Sequence, residues 1–144
     1  MVAATSIHWL DLDVVLPAVH RALTADGTFL VWRNVFGDRA VPTPFRARVE
    51  EIAAARTRPP RPGPDHEDAQ GAVAALTRSG LFRADPVRTF RWKVDLDEHQ
   101  VHRLFTTFSE WTPDEVDAAA RAVRDLGGTV REHYLSWLVA LHPV

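Results

Sequence analysis

Thr28-Phe-Leu-Val-Trp-Arg-Asn-Val-Phe36 is the stretch that decides the fold. Its run of Phe29, Leu30, Val31 and Trp32 carries no polar alternation, so neither face of the strand expects water. That pattern belongs in the middle of a sheet covered by helices on both faces. Upstream, Val15, Ala18, Val19, Ala22 and Leu23 fall at helical spacing, and Asp26-Gly27 supplies a stop. Downstream, Arg33-Asn34 leads into a loop from Gly37 to Pro44. Helix, turn, central strand and loop together predict an open α/β sheet, which binds ligands at the carboxyl ends of its strands.

The flanking sequence fits this class. Val2 to Ile7 is short and apolar and reads as the tail of a strand. Asp11 or Asp13 can cap the helix that follows; with Asp11 as cap, Pro17 lies deep enough to bend it. Phe45, Val49, Ile52 and Ala53 mark a second helix. Thr57 to Asp68 holds four prolines and Gly63 and is expected to be a mobile surface loop. Glu67 to Arg78 is helical. Leu81 to Asp95 is read as one strand, with Phe90, Trp92 and Val94 on an inner face opposite Arg91, Lys93 and Asp95. Asp97 to Trp111 is helical. Thr112-Pro-Asp-Glu115 is a helix start in which Thr112 caps, Pro113 takes the first position and Glu115 closes a capping box. After Gly127-Gly128, Thr129 to Leu141 is a long strand that can turn back antiparallel beside its neighbour. Residues 1–144 are expected to form one domain, with three good strands and a stub.

Composition narrows the function. A net charge of −2 gives no reason to expect nucleic acid or an anionic membrane as partner. No apolar run approaches the roughly 20 residues needed to span a bilayer. No signal sequence opens the chain, so a cytoplasmic location is expected. Without cysteine there is no disulfide, thiolate nucleophile or cysteine-based zinc site. No Gly-rich nucleotide fingerprint, P-loop or nucleophile elbow is present.

Four groups of residues merit chemical attention. His8-Trp9 sits at a strand-to-helix turn, on the edge where such sheets bind ligands; His8 could be a base or a contact, or simply half of a packed aromatic pair. Asn34, just past the central strand, is a plausible polar contact at a site mouth and equally an ordinary strand-end residue. His99 and His102, with Asp95, Asp97 and Glu98, could hold a metal, but no third ligand has a defined spacing, and a solvated helix start is the better reading. Arg88, Arg91 and Lys93 interleave with Phe90 and Trp92 as in single-strand binders; the alternation fits an edge strand better.

The chain also resembles a known family. Ala3-Ala-Thr-Ser-Ile-His-Trp-Leu-Asp11, then Val19-His-Arg-Ala-Leu23, Asp26-Gly27 and Phe29-Leu-Val-Trp32, is similar to the middle of class I S-adenosylmethionine-dependent methyltransferases of the bacterial small-molecule group. Leu104-Phe-Thr-Thr-Phe-Ser-Glu-Trp111 is similar to a later segment of them. The resemblance implies a partial Rossmann-like sheet of strands four to seven, with helices on both faces and the last strand antiparallel. It implies S-adenosylmethionine as cofactor and a small-molecule acceptor. Thr5, Ser6 and Trp9 would line the methionine end of the cofactor, His8 would be the catalytic base, and Trp32 and Asn34 would face the acceptor. The family's N-terminal half, with its Gly-rich loop and its acidic ribose contact, has no counterpart here. Thr5 stands where the family often has Gln, and Asp26 replaces a Gly. The expected outcome is a methyltransferase-like protein that is inactive as this chain alone. The rival is a non-catalytic module that associates, for instance as a homodimer through the open edge of strand four.

Overall fold

A computed structural model describes residues 1–57 and 65–144. Most of the proline-rich segment, at 58–64, lies outside the described residues. The elements in chain order are β1 (Val2–Ala4), a 3-10 turn (Ile7–Trp9), α1 (Leu12–Ala22), β2 (Phe29–Phe36), α2 (Pro44–Ala54) and α3 (Ala69–Thr77). There follow β3 (Phe82–Ala84), β4 (Arg88–Asp97), α4 (Glu98–Thr106), α5 (Pro113–Asp125) and β5 (Thr129–Pro143). The five strands form one sheet in the order β1-β2-β5-β3, with β4 also paired to β5. The α/β class and the central place of β2 stand as expected. The region read as one strand from Leu81 is instead two, β3 and β4. Pro86 lies between them and has no N–H to offer a ladder.

The chain divides into two compact units. The first comprises Met1–Val35, Gly63–Arg91 and Leu135–Val144. Here β1 runs parallel to β2, with Val2 opposite Leu30, Ala3 opposite Val31 and Ala4 opposite Trp32. β3 runs antiparallel to β5, with Ala84 opposite Leu141. Phe29, Val31 and Val35 join Leu16 and Val19 of α1, Leu76 of α3, and Leu135, Trp137, Val139 and Leu141 in one core. The alternate residues of β2 fare differently: Leu30 and Trp32 are half-buried and Asn34 is exposed. The sequence expects a strand dry on both faces, and the structure delivers one dry face. Asp11 caps α1 by accepting from the Asp13 N–H at 3.0 Å, so Pro17 sits inside the helix. Its missing N–H removes one helical hydrogen bond.

The second unit comprises Phe36–Pro62 and Trp92–Tyr134. Its core gathers Phe45, Leu96, Val101, Phe105, Val116, Ala119, Val123 and Val130. Phe36 stands edge-on to Phe105, Phe108 and Tyr134 at centroid distances of 5.2, 5.8 and 5.5 Å. Such edge-to-face pairs favour one packing arrangement beyond their area burial. Both helix starts follow the sequence: Asp97 and Gln100 close a capping box on α4, and Thr112 and Glu115 close one on α5. Arg56 forks onto Glu115 at 2.8 and 3.2 Å and lies over the Trp111 ring. That pairing holds the Glu115 carboxyl below its ordinary pKa.

A buried ion pair completes this unit. The Arg46 Nη2 donates to Glu132 Oε1 at 2.9 Å, and Glu132 has no exposed surface. The same oxygen accepts from the His133 N–H at 2.8 Å. Gly37 makes room for the pair: its φ is +82°, and a Cβ there would sit 2.4 Å from the Arg46 guanidinium carbon.

Two stability measurements follow. Arg46→Met should cost about 3–5 kcal/mol in urea unfolding, because it strands a buried carboxylate, and Arg46→Met with Glu132→Leu should recover most of that. Gly37→Ala should cost clearly more than Gly80→Ala. Both have positive φ, worth about 1–2 kcal/mol each, but only position 37 meets a side chain, while a Cβ at Gly80 meets nothing within 4 Å.

Candidate functional site at the strand ends

The first unit places the end of β1 beside the middle of β2, with Ala4 opposite Trp32. Asn34, expected just past the central strand, lies inside it. Thr5 follows β1 with a φ of +49°, the left-handed region that a β-branched residue enters only at a cost. Two hydrogen bonds hold it there. Its N–H donates to the Trp32 carbonyl at 2.9 Å, and its Oγ1 accepts from the Asn34 N–H at 3.4 Å. Ser6 then opens the 3-10 turn, accepting from the Trp9 N–H through its carbonyl at 3.0 Å. The turn carries His8 and Trp9, whose rings lie 4.8 Å apart and tilted by 40°. His8 is half-buried, and its Nδ1 is buried without a partner. Trp9 is 70% exposed.

The pleat of β2 then separates residues that the sequence groups together. Trp32 and Asn34 share one face, where Leu30, Trp32, Phe90, Ser136, Trp137 and Leu138 line a hollow of about 230 Å³. Ser136 Oγ donates to Asn34 Oδ1 there at 2.7 Å. Arg33 shares the opposite pleat with Phe29, Val31 and Val35, and its charge acts on His8. The His66 ring stands edge-on to His8 at 6.3 Å, and the His66 carbonyl accepts from Trp137 Nε1 at 3.0 Å. The structure thus brings Thr5 to Trp32 and Asn34, and His8 to Trp9, but it does not aim Trp32 and Arg33 the same way.

Three residues of this region were not legible as candidates. Arg33 ends an apolar strand and reads as a loop entrance. His66 lies in the proline-rich stretch. Ser136 is one hydroxyl in a long apolar strand, with no signal at all.

Charge at the site is cationic. Burial, then the nearby Arg33 and then His66, hold the His8 pKa below its ordinary value. Burial likewise pushes Arg33 down. His8 is therefore neutral at neutral pH and able to accept a proton.

The other sequence candidates lead elsewhere. His99 and His102 border an open groove of about 560 Å³ between α4 and α5. His102 Nε2 lies 3.3 Å from Asp117, Glu98 pairs with Arg124, Asp95 pairs with Arg131, and Asp97 is spent as a helix cap. Among the described residues no three His, Asp or Glu side chains are placed to hold a metal. On β4, Arg88, Arg91 and Lys93 are exposed as expected, but Phe90 and Trp92 are also 49% and 42% exposed. The inner apolar face read from the alternation is thus not buried at these two positions. Trp92 instead stacks on Tyr134 at 4.2 Å. Among the described residues no helix is long and apolar enough to cross a membrane.

The depressed His8 pKa makes stability depend on pH. The folded state binds the proton less tightly than the unfolded chain, so His8 favours folding above about pH 6.5 and this contribution is lost as the pH falls through that value towards the lower folded pKa. Urea midpoints should therefore drop between about pH 7.5 and 5.5, and the drop should shrink in His8→Asn. In Arg33→Gln, the His8 titration followed by NMR should move upward. An unchanged slope in His8→Asn would contradict this.

With the geometry in place, the chain can be set beside known proteins. No family model matches it. No curated protein matches it. Solved structures do. A Bacillus halodurans C-125 protein provisionally assigned to the methyltransferases matches 99% of this chain at 10% identity with a TM-score of 0.52. The match takes up 68% of that protein. Geranyl diphosphate C-methyltransferase of Streptomyces coelicolor A3(2), solved with Mg2+, geranyl diphosphate and S-adenosyl-L-homocysteine, matches at 16% identity and a TM-score of 0.37. A phosphoethanolamine N-methyltransferase of Haemonchus contortus, solved with S-adenosylhomocysteine, matches at 12% and 0.40. The chain spans 45% and 33% of these two, and scores at that level carry no weight here. The first match gives the fold: this chain is built like part of a methyltransferase domain.

Proposed function

We propose that this chain is the acceptor side of an S-adenosylmethionine-dependent methyltransferase and transfers no methyl group by itself. One observation carries the reading: the whole chain, 99% of it, is accounted for by about two thirds of a larger methyltransferase-like structure. The hollow over Leu30, Trp32, Phe90 and Leu138 agrees with it, since an uncovered apolar sheet face is where further polypeptide packs.

The proposed roles follow position. His8, neutral and partly withdrawn from water, takes a proton from the acceptor as its nucleophile is freed. Thr5, fixed by its bonds to Trp32 and Asn34, and Ser6 and Trp9 form the wall toward the cofactor. Trp32 and Asn34 line the acceptor side, where positioning is the main contribution. These residues do not make a cofactor site on their own. Neither Thr5-Ser6 nor Arg33-Asn34 offers a carboxylate to grip a ribose, and Arg33 opposes a neighbouring sulfonium cation.

Titration calorimetry of the purified chain with S-adenosylmethionine should show no saturable heat in the micromolar range. Micromolar binding would overturn the reading that the cofactor is held elsewhere.

The open edge favours a second reading. β1 ends the strand order, with Val2 53% exposed, and an unprotected edge invites another strand. On this reading the chain works by association, as a homodimer through β1. Sedimentation velocity should then show a concentration-dependent dimer; a clean monomer would remove it and leave the first reading intact.

A further inference from the structure

The middle of β2 holds a positive charge that no carboxylate among the described residues balances. Arg33 is half-buried, and no described carboxylate pairs with it. Apart from the exposed Asp26, the acidic groups of the same unit are committed elsewhere. Asp13 pairs with Arg78, and Asp85 faces His142. Asp11 and Asp68 cap α1 and α3, and Asp65, which accepts from the Glu67 N–H, and Glu67 itself are not free. Withdrawing a guanidinium from water without a counter-charge is costly, and proteins keep such groups where a ligand supplies the charge. His8 adds a buried, unpartnered Nδ1 on the same side, and the His66 ring lies 6.3 Å from the His8 ring. Beside them the indole of Trp9 is 70% exposed and Leu10 is 44% exposed.

We infer that the end of β1 and the middle of β2 form an anion site, in which Arg33, aided by His8 and His66, holds the carboxylate or phosphate of an acceptor. The anion site stands on these residues alone. The word acceptor rests on the methyltransferase reading, so the two can fail separately. A guanidinium is the suitable donor, because its planar fork matches both carboxylate and phosphate oxygens.

The test uses the 144-residue chain and two probes, inorganic phosphate and acetate, at constant ionic strength. The ring protons of His8 and Trp9 are followed by NMR. Both probes should shift them saturably in the millimolar range. Arg33→Gln should weaken binding by about tenfold or more, and Arg33→Lys by less. The remaining resonances of each variant report that it is folded. Should Arg33→Gln unfold, Arg33→Lys and the wild-type titration still decide. No saturable shift at His8 with either probe, or binding unchanged by loss of the guanidinium, would overturn the anion site. Displacement of phosphate by S-adenosylhomocysteine would assign the site to the cofactor's own carboxylate and overturn the acceptor assignment. A completed enzyme that methylates only uncharged acceptors would do the same, with the phosphate titration still standing.

Discussion

The first unit depends on the two-residue period of β2. Side chains of a strand point alternately to opposite faces, so eight residues divide into two rows with separate fates. Phe29, Val31 and Val35 go into a core with α1 and α3. Leu30, Trp32 and Asn34 go to a face that the described residues leave partly open. The same alternation sends Arg33 toward His8 and Asn34 toward Ser136. Core, hollow and the placing of the Arg33 charge are thus three consequences of one pleat. Shifting the strand by one residue would exchange them all.

The second unit is held differently. Its aromatic cluster is tied to a buried Arg46–Glu132 pair that fits only because Gly37 lacks a side chain. Buried ion pairs contribute little net stability compared with apolar packing, but removing one partner is costly. Their effect is to penalise every arrangement that separates them. Here the pair fixes α2 against β5 within that unit. Capping boxes on α4 and α5 do comparable work at lower cost, each satisfying two orphan donors at a helix start.

Much of the fold was legible in the sequence, and the reasons are local. Pro113 between Thr112 and Glu115 announces the start of α5, and those three residues make that start. The unbroken Phe29–Trp32 run announces the central strand. It could not announce that only one face would be covered, because coverage depends on what packs there and not on the strand. The division of β3 from β4 hung on Pro86, whose missing donor is visible only once a ladder is known to run past it. At the site, His8 and Trp9 were legible because they follow the end of β1, and Asn34 because it is a polar residue after an apolar run, although β2 continues to Phe36. Arg33 was not, since an arginine after an apolar run reads as a solvated strand end. Its significance is the absence of a carboxylate, and that is a property of the fold.

The central claim is that β2 is dry on one face and open on the other. The chain has no cysteine, so single cysteines report on this without interference. Leu30→Cys and Val31→Cys, in separate variants, can be timed for reaction with a thiol reagent under native conditions. Cysteine at 30 should react readily, and cysteine at 31 only at the rate of global unfolding. Equal protection at both positions would mean that the second face is covered after all, and the account of this chain as part of a larger fold would fail.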